Sequence, residues 1–245
     1  MTDAYNSLVA KCDLIRTLFR FYPQAVEEMG TVWFNADWYE RNTAHLASFP
    51  DEPSVEAAYA KLQQTVEPML RFGIVHIAAA FEDFLTDTFE SRLRRDFAQA
   101  PPKDISLSKE YKIQTDDLGG ELNAFIIQER ERFAAKGWKT RLLRIAEYIP
   151  ALSKEPDLTN SDFAKLITFG SVSRFAALEE TMALRNIILH NGGRASDRFQ
   201  RQFPNSTFVK DGIVHITDNS VDLVRAAILE VAFYIDQHFD PNAMS

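Results

Sequence analysis

At 245 residues and 46% hydrophobic side chains, the chain can bury a sizeable core, as one large domain or as a domain with an appendage. Its one cysteine, Cys12, excludes a disulfide framework and a cysteine metal cluster, as expected in a reducing compartment. The formal charge of -8 and the pI near 5.2 argue against broad electrostatic capture of nucleic acid, whose affinity comes from clustered lysine and arginine, so any RNA contact has to be local.

Helical periods run almost throughout. Asn6 to Phe21 carries Leu8, Cys12, Ile15, Leu18 and Phe19 at steps of three and four, and Tyr22-Pro23 is expected to end that helix. No basic start leads into a long apolar run, and "FGIVHIAAAF" is too short to span a bilayer, so no membrane partner and a cytoplasmic location are expected. "TVWFNADWYERNTAHLASFPDEPS" reads as helix and loop. From Val55 to about Phe97 one long helix is expected, with Leu62, Val66, Met69, Leu70, Ile74, Ile77, Phe81, Phe84, Leu85, Phe89 and Leu93 as its apolar positions and a bend near Pro68 or Gly73.

"AQAPPKDISLSKEYKIQTDDLGG" is a surface loop by its proline, charge and glycine. Further helices are expected over Glu121 to Ala135, Thr140 to Tyr148 and Asp162 to Ile167. "SVSRFAALEETMALRNIILH" follows as one helix, with Ser171 or Ser173 as its cap and "HNGG" as its stop. "STFVKDGIVHIT" alternates around Asp211-Gly212 and predicts a small hairpin. The last helix, about Ser220 to Phe239, carries Val221, Val224, Ile228, Val231 and Ile235 on one stripe. The economical reading is an all-α, up-and-down helical bundle over residues 54–245, with one small β-hairpin before the last helix and an N-terminal helical extension over residues 1–53.

Chemistry concentrates in "LRNIILHNGGRASDRF", where four residues separate Arg185 from His190. That spacing is cheap: 17 arginines and 5 histidines produce about one match by chance, and "RFGIVH", Arg71 to His76, is a second. Helical position separates the two pairs. Phe175, Leu178, Met182 and Leu189 share a face with Arg185, so a guanidinium is expected within an apolar stripe, where its burial unpaired costs several kcal/mol. It therefore needs a carboxylate such as Glu82 or Asp83, a water-filled cleft or an anionic ligand. Asn186 and His190 share the neighbouring face, near Glu179. Arg185 and His190 stand roughly 140° apart on an ideal helix, so they converge only if the long side chain bends or the last turn loosens.

Structural readings stand beside these. His190 in a last turn favours the negative end of a helix whatever else it does. His76, among Ile74, Ile77 and Ala78, reads as a core or boundary histidine. Glu82, Asp83, Asp87 and Glu90 have the spacing of a divalent-ion site, but exposed acidic faces look the same. His45, His215 and His238 lack acidic or histidine neighbours at ligand spacing, and no phosphate loop, dinucleotide glycine pattern or nucleophile elbow occurs, so no metal and no cofactor are expected.

"ALRNIILHNGG", the hairpin "TFVKDGIVHIT" and a final amphipathic helix together resemble the HEPN superfamily of helical-bundle proteins, and "AAAFEDFLTDTF" is similar to the acidic-aromatic early helix of many members. The resemblance covers about Val55 to Phe239 and is most specific over Leu184 to Gly193. It implies a metal-independent endoribonuclease site, completed by a second copy in a homodimer, with Arg185, Asn186 and His190 as its catalytic residues. His190 would move a proton to or from a ribose hydroxyl, Arg185 would stabilise charge on the phosphate, and Asn186 would orient a phosphate oxygen or the imidazole. Attack by the 2′-hydroxyl would leave a 2′,3′-cyclic phosphate. A toxin or phage-defence role, with an antitoxin or other protein partner, is also implied. Some members carry a modifiable tyrosine two residues after the histidine; Gly192 stands there in this chain. The alternative is a HEPN-like bundle without catalysis, acting in dimerisation or partner binding.

Overall fold

A computed structural model describes residues 1–33, 55–99, 118–146, 168–169 and 172–239. The chain is mostly helical, with a small hairpin before its last helix. In order, the elements are α1 (Asp3–Trp33), α2 (Val55–Gln63), α3 (Val66–Gln99), α4 (Leu118–Ala134), α5 (Trp138–Ala146), β1 (Thr168–Phe169), β2 (Val172–Ser173), α6 (Arg174–Asn191), α7 (Asp197–Gln202), β3 (Val209–Lys210), β4 (Ile213–Val214) and α8 (Asp218–Phe239). The helix expected over Asp162 to Ile167, most of the loop before Gly119 and the boundary expected between residues 53 and 54 lie outside the described residues.

Two compact units divide the chain. The first comprises Met1–Val9, Ala79–Ala176 and Leu229–Ser245. Its core holds Leu8, Phe81, Phe84, Leu85, Phe89, Phe133, Ile145, Val231 and Ile235. Thr2 donates its backbone N–H at 3.0 Å and its hydroxyl to Asp236 Oδ1, and the Tyr5 and Phe233 rings lie 5.8 Å apart, which ties the start of α1 to the end of α8. Arg141, buried on α5, donates to the Glu82 carbonyl at 3.1 Å and the Thr86 hydroxyl at 3.3 Å, with its second terminal nitrogen 3.3 Å from a Glu82 carboxylate oxygen. Asp87 and Glu90 meet Arg130 at 3.5 and 2.8 Å. The acidic face of α3 is thus neutralised by arginines, and no cluster fit for a metal occurs among the described residues.

The second unit comprises Ala10–Ala78 and Ala177–Ile228. Cys12, Phe19, Val26, Leu70, Ile74, Ile77, Leu178, Met182, Leu184, Ile187, Val224 and Ile228 fill its core. Arg16 pairs with Asp222 at 2.5 Å and Asp13 accepts from Arg225, so α1 and α8 run antiparallel here. Helix α1 does not end at Pro23. An interior proline removes a hydrogen bond and costs about 3 kcal/mol, but Phe19 and Val26 are buried on either side of it, and burial of such side chains returns about 1.5–3 kcal/mol each. Leu18, expected on the buried stripe, is exposed.

The long helix expected from Val55 is two. The break falls at Gln64 and Thr65, where the Thr65 hydroxyl caps back to the Leu62 carbonyl at 2.6 Å and the Thr65 carbonyl accepts from Met69 N–H at 3.0 Å. Pro68 then sits in the first turn of α3, where no intrahelical donor is needed. No bend is required at Gly73. A Cβ there would stand 3.1 Å from the Phe19 ring, so the glycine lets α1 pack closely.

Three further elements differ from the expectation. The strand pair Thr168↔Ser173 and Phe169↔Val172 precedes α6, which starts at Arg174, directly after Ser173. The segment after the double glycine contains α7, capped by Ser196, whose hydroxyl accepts from Phe199 N–H at 3.3 Å. The hairpin itself is as expected, with Val209↔Val214 and Lys210↔Ile213 paired and both turn residues, Asp211 and Gly212, at positive φ (51° and 74°). Thr217 and Ser220 cap α8 reciprocally, at 3.3 and 3.1 Å, and the whole expected stripe of α8 is buried.

Candidate functional site

Helix α6 presents its buried face through Leu178, Thr181, Met182, Leu184 and Ile187. Arg185 lies at the edge of that face, half-buried, and is not enclosed in an apolar stripe: Leu189, one turn further, is 45% exposed. The apolar cover ends before the helix does. Arg185 Nη1 donates to Asn186 Oδ1 at 3.3 Å, while Asn186 and His190 are both exposed. One hydrogen bond therefore joins two of the three candidate side chains. His190 follows one turn after Asn186, at the open end of the helix.

The termination of α6 is built from the residues that follow. Gly192 and Gly193 take φ of 58° and 82°. Gly193 N–H returns to the Ile187 carbonyl at 3.2 Å and Arg194 N–H to the Asn191 carbonyl at 3.1 Å, which satisfies carbonyls that a helix end otherwise leaves open. Gly193 O then accepts from Val214 N–H at 2.8 Å, and Ala195 N–H donates to the Gly212 carbonyl at 2.8 Å. The hairpin is pinned to the turn just after His190.

Arg71 reinforces that junction. Its Nη2 donates to the Val214 carbonyl at 2.7 Å and to Glu67 Oε1 at 2.9 Å. Glu67 also faces His215 Nδ1 at 3.4 Å. His215 thus has an acidic neighbour in space that its place in the sequence did not show. His76 is not a core residue; it is exposed, with its ring over Phe19 at 6.4 Å.

The two arginine-histidine pairs are therefore different objects. Arg71 is committed to a carboxylate and a backbone carbonyl, and its histidine lies against an aromatic ring. Arg185 donates to the exposed Asn186 amide oxygen, and His190 stands exposed one turn after Asn186. Glu179, expected near Asn186, accepts from Gln202 Nε2 at 3.0 Å and ties α7 to α6. Sequence spacing missed Arg71 and Glu67 as supports of the helix end; Gly193 belongs to the "HNGG" stop that the sequence did show.

The chain matches no protein-family model, no curated protein and no solved structure. Its fold and site define a mostly helical protein with a polar, solvent-facing helix end, and no described helix is long and apolar enough to cross a membrane.

Proposed function

We propose that the chain is a metal-independent endoribonuclease of HEPN type, cleaving RNA by 2′-hydroxyl attack at Arg185, Asn186 and His190. The observation that carries this reading is the Arg185 to Asn186 hydrogen bond, with His190 exposed one turn after Asn186 on the same helix. In this scheme His190 exchanges a proton with the 2′-hydroxyl or the leaving 5′-oxygen, and Arg185 binds the phosphate as charge builds on its oxygens. Asn186 limits the sweep of the guanidinium. A second copy in a homodimer would supply the other histidine, separating the base from the acid. The substrate would be met in the cytoplasm, and a toxin or phage-defence role with an antitoxin follows from the same reading.

Wild type and Arg185→Ala, purified in parallel, should be assayed on RNA in the presence of a chelator. The expected result is cleavage by wild type alone, with 2′,3′-cyclic phosphate ends. Equal cleavage by both proteins, or cleavage that stops in chelator, overturns the reading.

A second reading, a non-catalytic dimerisation or partner-binding module, draws on Leu14, Leu18 and Phe21, large exposed apolar residues of α1. Their spacing puts them on one helix face, as in helix-mediated association. Cleavage-inactive wild type that is dimeric in solution would favour this reading.

A further inference from the structure

We propose that α1 docks antiparallel against α1 of a second copy of the chain, through a row of exposed residues that runs beside its buried face. The inference rests on the association reading above, for which it names the partner, the orientation and the register, and it holds with or without cleavage.

Helix α1 has two apolar faces. Cys12, Phe19 and Val26, seven residues apart, are buried in the second unit. Lys11, Leu14, Leu18, Phe21, Ala25 and Glu28 form another row, at alternating steps of three and four, and all of them are exposed. That alternation is the spacing of a seam between two helices. Leu14, Leu18 and Phe21 are 61%, 59% and 61% exposed. The centre of this row stands roughly 130° round the helix from the buried one, so the core that holds α1 does not cover it. Single exposed apolar residues are common on any surface, whereas three consecutive seam positions make a continuous strip.

Self-complementarity identifies the occupant. The row carries opposite charges at its ends, Lys11 at one and Glu28 at the other. Turned about a two-fold axis midway between Leu18 and Phe21, it meets itself. Leu18 then faces the partner's Phe21, Leu14 the partner's Ala25 and Lys11 the partner's Glu28, and symmetry makes each contact twice. The small Ala25 leaves room for Leu14. Beside the row lie Ala10, Thr17 and Gln24 on one side and Ile15 and Tyr22 on the other, none of them charged, so no like charges meet in this register. A parallel pair instead sets lysine against lysine and glutamate against glutamate, which repulsion disfavours.

The test is sedimentation equilibrium of the full chain and its variants over about 1–100 μM, with helix content followed by circular dichroism. We expect a monomer–dimer equilibrium for wild type. Leu18→Glu, at an exposed central position, should weaken the dimer at least about a hundredfold with its helix content unchanged. Lys11→Glu and Glu28→Lys should each weaken it about tenfold, and Lys11→Glu/Glu28→Lys should return to within about twofold of wild type. If Leu18→Glu loses helix, the charge variants decide alone. A wild type that stays monomeric overturns the proposal. So does an unchanged dissociation constant in Leu18→Glu, which would keep association but move it off α1. Single charge variants as tight as wild type, or a double variant as weak as the singles, overturn the antiparallel register.

Discussion

Arg71 Nη1 lies 2.7 Å from the point where a Cβ on Gly193 would stand, and Gly193 holds φ at 82°. Both features forbid a side chain at the turn that follows His190. Gly193→Ala should therefore cost about 2–3 kcal/mol, from backbone strain and from displacement of Arg71. Gly192 shares a positive φ of 58° but faces open space, so Gly192→Ala should cost only about 1 kcal/mol. Urea denaturation of both variants checks the order. Arg71→Ala combined with Gly193→Ala should show coupling of at least about 0.5 kcal/mol; strict additivity would mean that the two residues do not press on each other.

Arg141 anchors α5 to α3 in the first unit. It is 6% exposed, and its partners are a carbonyl, a hydroxyl and the Glu82 carboxylate. Truncation leaves Glu82 part-buried beside a hole, so Arg141→Ala should lose about 3–5 kcal/mol. Arg141→Met with Glu82→Gln should recover much of that loss, because neither charge is then left alone. A loss below about 1 kcal/mol in the single variant would show that the pair does not hold the two helices together.

Cys12 offers a pH test of the second core. Burial pushes its thiol up from 9.0 to about 11, with Arg225 acting in the opposite direction. The folded value lies above the unfolded one, so the contribution to stability is intact below pH 9 and is lost as pH rises toward 11. Tyr234, also raised by burial, adds a slope of the same sign. Cys12→Ala should therefore lose roughly 2 kcal/mol less than wild type between pH 8 and pH 11. Identical slopes for the two proteins would place the thiol in contact with water.

Much of this architecture was legible in the sequence, and the gaps have physical reasons. The α8 stripe and the Asp211-Gly212 hairpin follow from periods of 3.6 and 2 and from a turn that needs positive φ. Pro23 misled because a local rule was overridden by burial of Val26 beyond it. The break at Gln64 and Thr65 contains no strong breaker, and β1 and β2 are too short to show any period. At the site, helical position singled out Arg185, and the resemblance carried by "ALRNIILHNGG" named Arg185, Asn186 and His190 together. Their exposure could not be read from either, because it depends on where the apolar cover of α6 stops. Arg71 looked like a decoy of the same motif. Its actual role rests on Val214, a partner far away in sequence that no spacing rule reaches.

The proposed chemistry belongs to one arginine-histidine pair and not to the other. Cleavage rates of His190→Ala and His76→Ala, measured side by side on the same RNA with matched thermal midpoints, test this most directly. The account predicts that His190→Ala loses at least about a hundredfold, while His76→Ala stays within about twofold of wild type. A His190→Ala protein that cleaves at the wild-type rate, or a His76→Ala protein that loses as much, would contradict it.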